Sequence, residues 1–217
     1  MPPCFARLLR AALLLTPLLT PLLALPLARA ADPPTPAHPT NPAHPTNPIG
    51  GVRFEPQVQL AGQPLLLNGT GLRAVLFLKG YAAGLYLAQR AGDADTVVAL
   101  PGAKRLQLRL LLDVPAADFV KAFHLGLERN NPAELQARLA DRAARFDALL
   151  KPLGELKKGD LVNLDFLPGT GLQFWHNGRQ LGEPIAGEDF YGALLRVFVG
   201  EHVSDERLRS GLLGRPA

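Results

Sequence analysis

The sequence predicts one α+β domain, with a mostly antiparallel sheet and helices packed on one face. Three observations carry that reading. Short apolar or alternating runs, separated by Gly, Pro and Asn turns, fill the stretch before Asp113 and the stretch from Leu161 to Leu181. Two runs at helical spacing lie between them, and two more close the chain. The order strands, helices, strands, helices belongs to α+β architecture rather than to the strict alternation of a parallel sheet.

The N-terminus stands apart from this domain. Arg7 and Arg10 precede an apolar stretch from Ala11 to Leu27, and Ala28-Arg29-Ala30 is a small-x-small site. That arrangement reads as a cleavable signal peptide over 1–30. An uncleaved anchor would need about 17–25 apolar residues, and Pro17, Pro21 and Pro26 interrupt this run. Residues 31–48 read as a proline-rich linker in which Ala37-His-Pro-Thr-Asn-Pro42 recurs as Ala43-His-Pro-Thr-Asn-Pro48. Proline at this density favours extended geometry and forbids a packed core. Residues 49–217 are then the domain.

Three arginines and no acid lie in the leader, which leaves 20 basic against 19 acidic residues. The basic pI thus gives no case for nucleic-acid binding. Cys4, the single cysteine, leaves with the leader, so disulfide and thiol chemistry are not expected. No other segment reaches membrane-spanning length, so no stable membrane insertion is expected after cleavage. The Ala/Leu/Arg-rich style points to a bacterium, and the expected location is the periplasm. Asn68-Gly69-Thr70 is a glycosylation sequon that matters only in a eukaryotic secretory pathway.

Within the domain, Val58–Leu60 and Leu65–Leu67 flank a turn at Ala61–Pro64. Gly71–Leu78 and Tyr81–Ala88 are expected to form a hairpin around Lys79-Gly80. Leu106, Leu108, Leu110 and Leu112 alternate as in a half-buried strand. After Asp113, an expected N-cap, Phe119, Val120, Phe123 and Leu127 share a helical face. Asn131-Pro132-Ala133-Glu134 has the residues of a capped helix start. Leu135, Leu139, Ala143, Phe146, Leu149 and Leu150 form the stripe that follows, with Arg138, Arg142 and Arg145 on a solvated face. Strands Leu161–Leu167 and Gly171–His176 precede Asn177-Gly178, the strongest hairpin signal in the chain. Helices over Glu188–Val199 and Ser204–Leu213 end at Gly200 and Gly214.

Motifs for phosphate loops, zinc hydrolysis, paired CxxC sites and nucleophile elbows are missing. His124, His176 and His202 have no ligand-like spacing, so neither a metal nor a cofactor is expected. The informative segment runs from Gly69 to Leu87. Arg73 heads a strongly apolar hairpin, and Tyr81 and Tyr86 lie on the returning strand. An arginine there is either solvated at an edge or held against an anion.

This segment resembles the chalcone isomerase-like superfamily, in particular its bacterial exported members. Gly71-Leu-Arg73 and Gly84-Leu-Tyr-Leu87 are similar to the family's Gly-x-Arg and Gly-Val-Tyr-Leu motifs. Gly200-Glu-His-Val-Ser204, with Asp205-Glu-Arg-Leu-Arg after it, resembles its C-terminal motif. The resemblance spans about Gly51 to Gly214 and implies an open-faced β-sandwich. It also implies a cleft between sheet and helices. Of the isomerase residues, the arginine falls at Arg73. The threonine position falls at Tyr81, the lysine at Leu110, the tyrosine at Phe119, the asparagine near Gly126 and a second threonine at about Val197. With most polar positions replaced, the reading leans away from catalysis and names no catalytic residue.

The fatty-acid-binding relatives keep the arginine and carry a tyrosine at the threonine position. That resemblance implies a non-catalytic binder of a fatty acid or similar hydrophobic carboxylate. Arg73 and Tyr81 would hold the head group, and Phe77, Leu108, Leu110, Phe119 and Phe123 would line the wall. Two alternatives stay open: an isomerase or intramolecular lyase on a phenolic or enone substrate, and a ligand-free envelope interaction module whose protein partner is unknown.

Overall fold

Ala61 and Gly62 make the first reversal, at φ angles of 49° and 76° that suit the twist of a two-residue hairpin. They join β1 (Gln57–Leu60) to β2 (Gln63–Val75). The computed structural model describes residues 48–75 and 78–215. The expected leader, nearly all of the expected linker, and Phe77 lie outside the described residues.

β2 unites two runs that the sequence suggested as separate strands. A register shift between Leu67 and Gly69 inserts Asn68 as a bulge, which switches the alternation of the strand without ending it. The Asn68 amide is fully engaged. Its Nδ2 donates to Ala91 O (3.0 Å) and Leu212 O (2.8 Å), and its Oδ1 accepts from Ala91 N (2.7 Å). The sequon asparagine is therefore a buried tie in the folded chain and not an offered acceptor. β3 (Leu78–Leu87) pairs with β2 from Val75↔Leu78 onward. Lys79 and Gly80 lie inside β3, a strand paired with β2, and not at the reversal expected there.

A helix not anticipated from the sequence, α1 (Ala94–Ala99), follows, capped by Asp93 accepting from Thr96 N at 2.8 Å. Next come β4 (Lys104–Leu110), the short β5 (Val114–Pro115), α2 (Ala116–Asn130) and α3 (Ala133–Leu150). Asp113 does not cap α2. Its carboxylate accepts from Lys158 N (2.8 Å) and Lys157 Nζ (3.2 Å), tying the start of the helical region to the loop before the next strand. Asn131 does not cap α3 through its side chain either. It is buried, and its Nδ2 bridges Leu127 O (3.0 Å) and Ala193 O (3.3 Å). A buried donor must find an acceptor, and here backbone carbonyls of the neighbouring helices supply it.

A 3₁₀ turn (Lys151–Leu153), β6 (Glu155–Leu156), β7 (Leu161–Leu167), β8 (Gly171–His176), β9 (Arg179–Ile185), α4 (Glu188–Val199) and α5 (Glu206–Leu212) complete the fold. Asn177 and Gly178 have φ of 49° and 80°, as the hairpin signal requires. Seven strands form one antiparallel sheet in the order β1-β2-β3-β4-β7-β8-β9, and β5 pairs with β6 separately. Arg142 is less free than its place on a polar face suggested. It makes a two-point pair with Asp189 at 2.5 and 2.8 Å, which joins α3 to the start of α4.

The main core lies between the sheet and the helices. It includes Leu85, Leu106, Leu108, Leu164 and Phe174 from the strands, and Phe123, Phe146, Phe190 and Leu194 from the helices. A smaller apolar cluster of Phe54, Leu60, Leu65, Leu67, Ala82, Tyr86 and Ala103 covers part of the opposite face. On that face Arg105 grips the fully buried Asp165 with two bonds of 2.7 Å. Burial pushes the Asp165 carboxyl up, and Arg105 pulls it back. Among the described residues no helix is long and apolar enough to cross a membrane.

Candidate functional site

Arg73 and Tyr81 are direct register partners on β2 and β3, and Tyr81 in turn pairs with Leu110 on β4. The three side chains therefore form one cross-strand row facing the helices. The Gly71-Leu-Arg73 motif has a packing reason. A Cβ on Gly71 would lie 2.5 Å from Leu208 O, and one on Gly69 would lie 2.1 Å from Gly211 O. These glycines let α5 rest on the backbone of β2. Arg73 is the next residue on the same side of the strand as Gly71.

The C-terminal motif delivers the other wall. Asn130 at the end of α2 accepts from His202 N (2.8 Å) and donates to His202 O (3.2 Å), which pins the loop after α4. Two residues on, Ser204 O accepts from Arg73 Nη1 at 3.2 Å. Asp205 Oδ2 takes the same Nη1 at 3.4 Å and Ala74 N at 3.1 Å, while its Oδ1 caps α5 through Arg207 N and Leu208 N, both at 3.1 Å.

Between these groups lies a cavity of about 90 Å³. Its polar side chains are Arg73, Tyr81, Ser204 and Asp205. Phe119 and Phe123 from α2, Val197 and Phe198 from α4, and Phe146 and Leu164 make much of the apolar lining. The floor is aromatic, with the Phe123 and Phe146 rings 4.6 Å apart, and Phe146 is backed in the core by Phe174 at 5.9 Å. Burial drives the Tyr81 phenol far above its ordinary pKa, outweighing the Arg73 charge that lowers it, so the hydroxyl stays protonated and a donor. The Asp205 carboxyl is held below the usual range. Its burial pushes the other way, but the Ala74 and Leu208 amides and Arg73 prevail.

The structure thus brings together Arg73, Tyr81, Phe119 and Phe123 from the residues singled out in the sequence. Leu108 and Leu110 do not line this cavity. They are 0 and 1 % exposed within the core of the sheet, because alternation sets the face of a residue and not its depth under the helices. Gly126 and Val197 meet one another, since a Cβ on Gly126 would stand 2.4 Å from Val197 Cγ1. Asp205 was not anticipated as part of the site. Its visible signal was an acidic residue at a helix start, which reads as a cap and carries no hint of Arg73, 132 positions away. His124 pairs at the surface with Asp147 at 2.8 Å. Among the described residues no group of three or more His, Cys, Asp or Glu is arranged to hold a metal ion.

A family model described as chalcone isomerase-like matches residues 46–214. The crystal structure of a fatty-acid binding protein from Arabidopsis thaliana superposes with a TM-score of 0.60 at 18% identity, covering 77% of this chain and 94% of that one. A comparison with curated proteins gives no significant match.

Proposed function

This chain belongs to the chalcone isomerase-like family, and on that premise we propose that it is a non-catalytic binder of a fatty acid or a similar hydrophobic carboxylate. One observation carries the reading. Arg73 and Tyr81 stand opposite one another on an otherwise largely apolar cavity, and each keeps donors unspent. The Arg73 bonds to described residues all leave from Nη1, so its Nε and Nη2 are free of them, as is the Tyr81 hydroxyl. Spare donors on two facing residues suit a carboxylate, which a guanidinium meets at two points. The Arabidopsis protein of similar fold is a fatty-acid binding protein, which supports the same class of ligand.

The energetics divide the work. A charge-assisted hydrogen bond contributes about 1.5–3 kcal/mol, and each buried methylene about 0.8 kcal/mol. The acyl chain supplies affinity, and Arg73 with Tyr81 sets its direction. A cavity of about 90 Å³ is small beside the roughly 300–1,000 Å³ of a ligand cleft. Binding of a long chain therefore requires α2 to part from α4. In this reading the protein acts after export, in a bacterial periplasm, with the leader removed after Ala30.

The small cavity favours a second reading, a ligand-free interaction module in which Arg73 and Asp205 only fasten α5 to β2. Native mass spectrometry of gently purified protein, with organic extraction, separates the two. A stoichiometric fatty acid that is lost in Arg73→Ala is the expected result. A bare protein that also refuses added fatty acid would overturn the binding reading in favour of the module.

A further inference from the structure

We propose that Asp205 is a specificity-determining residue of this site: it admits a head group with one negative charge and rejects one with two, so that alkyl carboxylates enter and alkyl phosphates of equal length do not. The proposal rests on the binding reading above.

Asp205 cannot step aside when a ligand arrives. Its two oxygens accept from four donors, Ala74 N, Arg207 N, Leu208 N and Arg73 Nη1, at 3.1 to 3.4 Å. It holds the first turn of α5 and the edge of β2 at once, and its side chain is only 12% exposed. A bound anion must therefore share Arg73 with a carboxylate already in place.

The charge count then sets the limit. Arg73 is the single cationic residue among those lining the cavity, and Asp205 cancels it before any ligand enters. Tyr81, held protonated by its burial, contributes a donor and no charge. Arg207 lines an adjoining surface groove and not this cavity. One ligand charge is met by the free Nε–Nη2 edge of Arg73 and the Tyr81 hydroxyl. A monoanion thus leaves the site with one net negative charge spread over these donors, whereas a dianion leaves two, in a partly desolvated cleft where like charges repel more strongly than in water.

The test is calorimetric titration of the purified chain with dodecanoate and with dodecyl phosphate at about pH 8. There the phosphate, with a second pKa of about 6, carries two charges. Two variants accompany the wild type. Asp205→Asn removes the charge and keeps a residue favoured as an N-cap. Ser204→Lys adds a cation at an exposed lining residue whose side chain makes no hydrogen bond to the described residues, and leaves Asp205 intact. The wild type should prefer dodecanoate by at least about tenfold, and each variant should reduce that preference by about tenfold or more. Equal binding of both ligands by the wild type, or an unchanged ratio in a folded Ser204→Lys chain, would overturn the proposal. No binding of dodecanoate at all would remove the binding reading itself, and this inference with it.

Discussion

Arg73 and Tyr81 face each other across the β2–β3 register, and the arginine is fastened by one nitrogen to Asp205 and Ser204. A guanidinium fixed at one end presents its other edge at little entropic cost when a ligand arrives. Arg73→Ala should weaken dodecanoate binding by about 10- to 150-fold, the equivalent of roughly 1.5–3 kcal/mol. Tyr81→Phe loses one donor to the charged carboxylate and should cost about 10-fold or more. Titration calorimetry reads both, and unchanged affinity in both variants would exclude this pair as the anchor.

Wall and core are separable. Leu108 is fully buried in the sheet, whereas Phe119 lines the cavity from α2. Leu108→Ala should lower stability by about 2–5 kcal/mol through the hole it leaves. Phe119→Ala should change dodecanoate affinity more than it changes the denaturation midpoint. Urea melts beside binding curves for the two variants give the comparison.

On the far face, the Arg105–Asp165 pair is a liability if halved. Asp165→Ala leaves a partly buried guanidinium unpaired and should cost about 3 kcal/mol. Replacing both residues by leucine should cost far less, since neither charge is then stranded. A double-mutant cycle by chemical denaturation measures the difference.

Acid should act through Asp205. Its folded pKa lies below the unfolded one, so its stabilisation is complete above the unfolded value of about 3.9 and is lost as pH falls through the folded value. The stability gap between wild type and Asp205→Asn should therefore close as pH is lowered from about 5 towards 2. Tyr81 predicts no matching alkaline change, because its pKa is displaced upward. Dodecanoate affinity should hold through about pH 10, where an ordinary tyrosine ionises.

Local patterns made much of this fold legible. The Asn177-Gly178 hairpin, the stripe of α3 and the bounds of α4 follow from turn chemistry and apolar period. Arg73 stood out as a charge at the head of an apolar strand, and Tyr81 only through the resemblance to the fatty-acid-binding relatives, which implies a tyrosine beside that arginine. What stayed hidden depends on distant partners. Asn131 has the sequence of a cap, yet its amide is claimed by carbonyls of α2 and α4. Asn68 and the glycine after it have the composition of a strand end, yet the strand continues, because the bulge hands the Asn68 side chain to Ala91 and Leu212. Helix α1 is too short for a periodic signal and rests on the Asp93 cap. Asp205 joins the site only through the packing of α5 on glycines of β2.

The most direct measurement is a crystal structure of the chain grown with dodecanoate. The account predicts its carboxylate within hydrogen-bonding distance of Arg73 Nε and Nη2 and the Tyr81 hydroxyl, with Asp205 still on Nη1 and α2 displaced from α4. A carboxylate bound away from Arg73, or a closed and empty cleft at saturating dodecanoate, would contradict it.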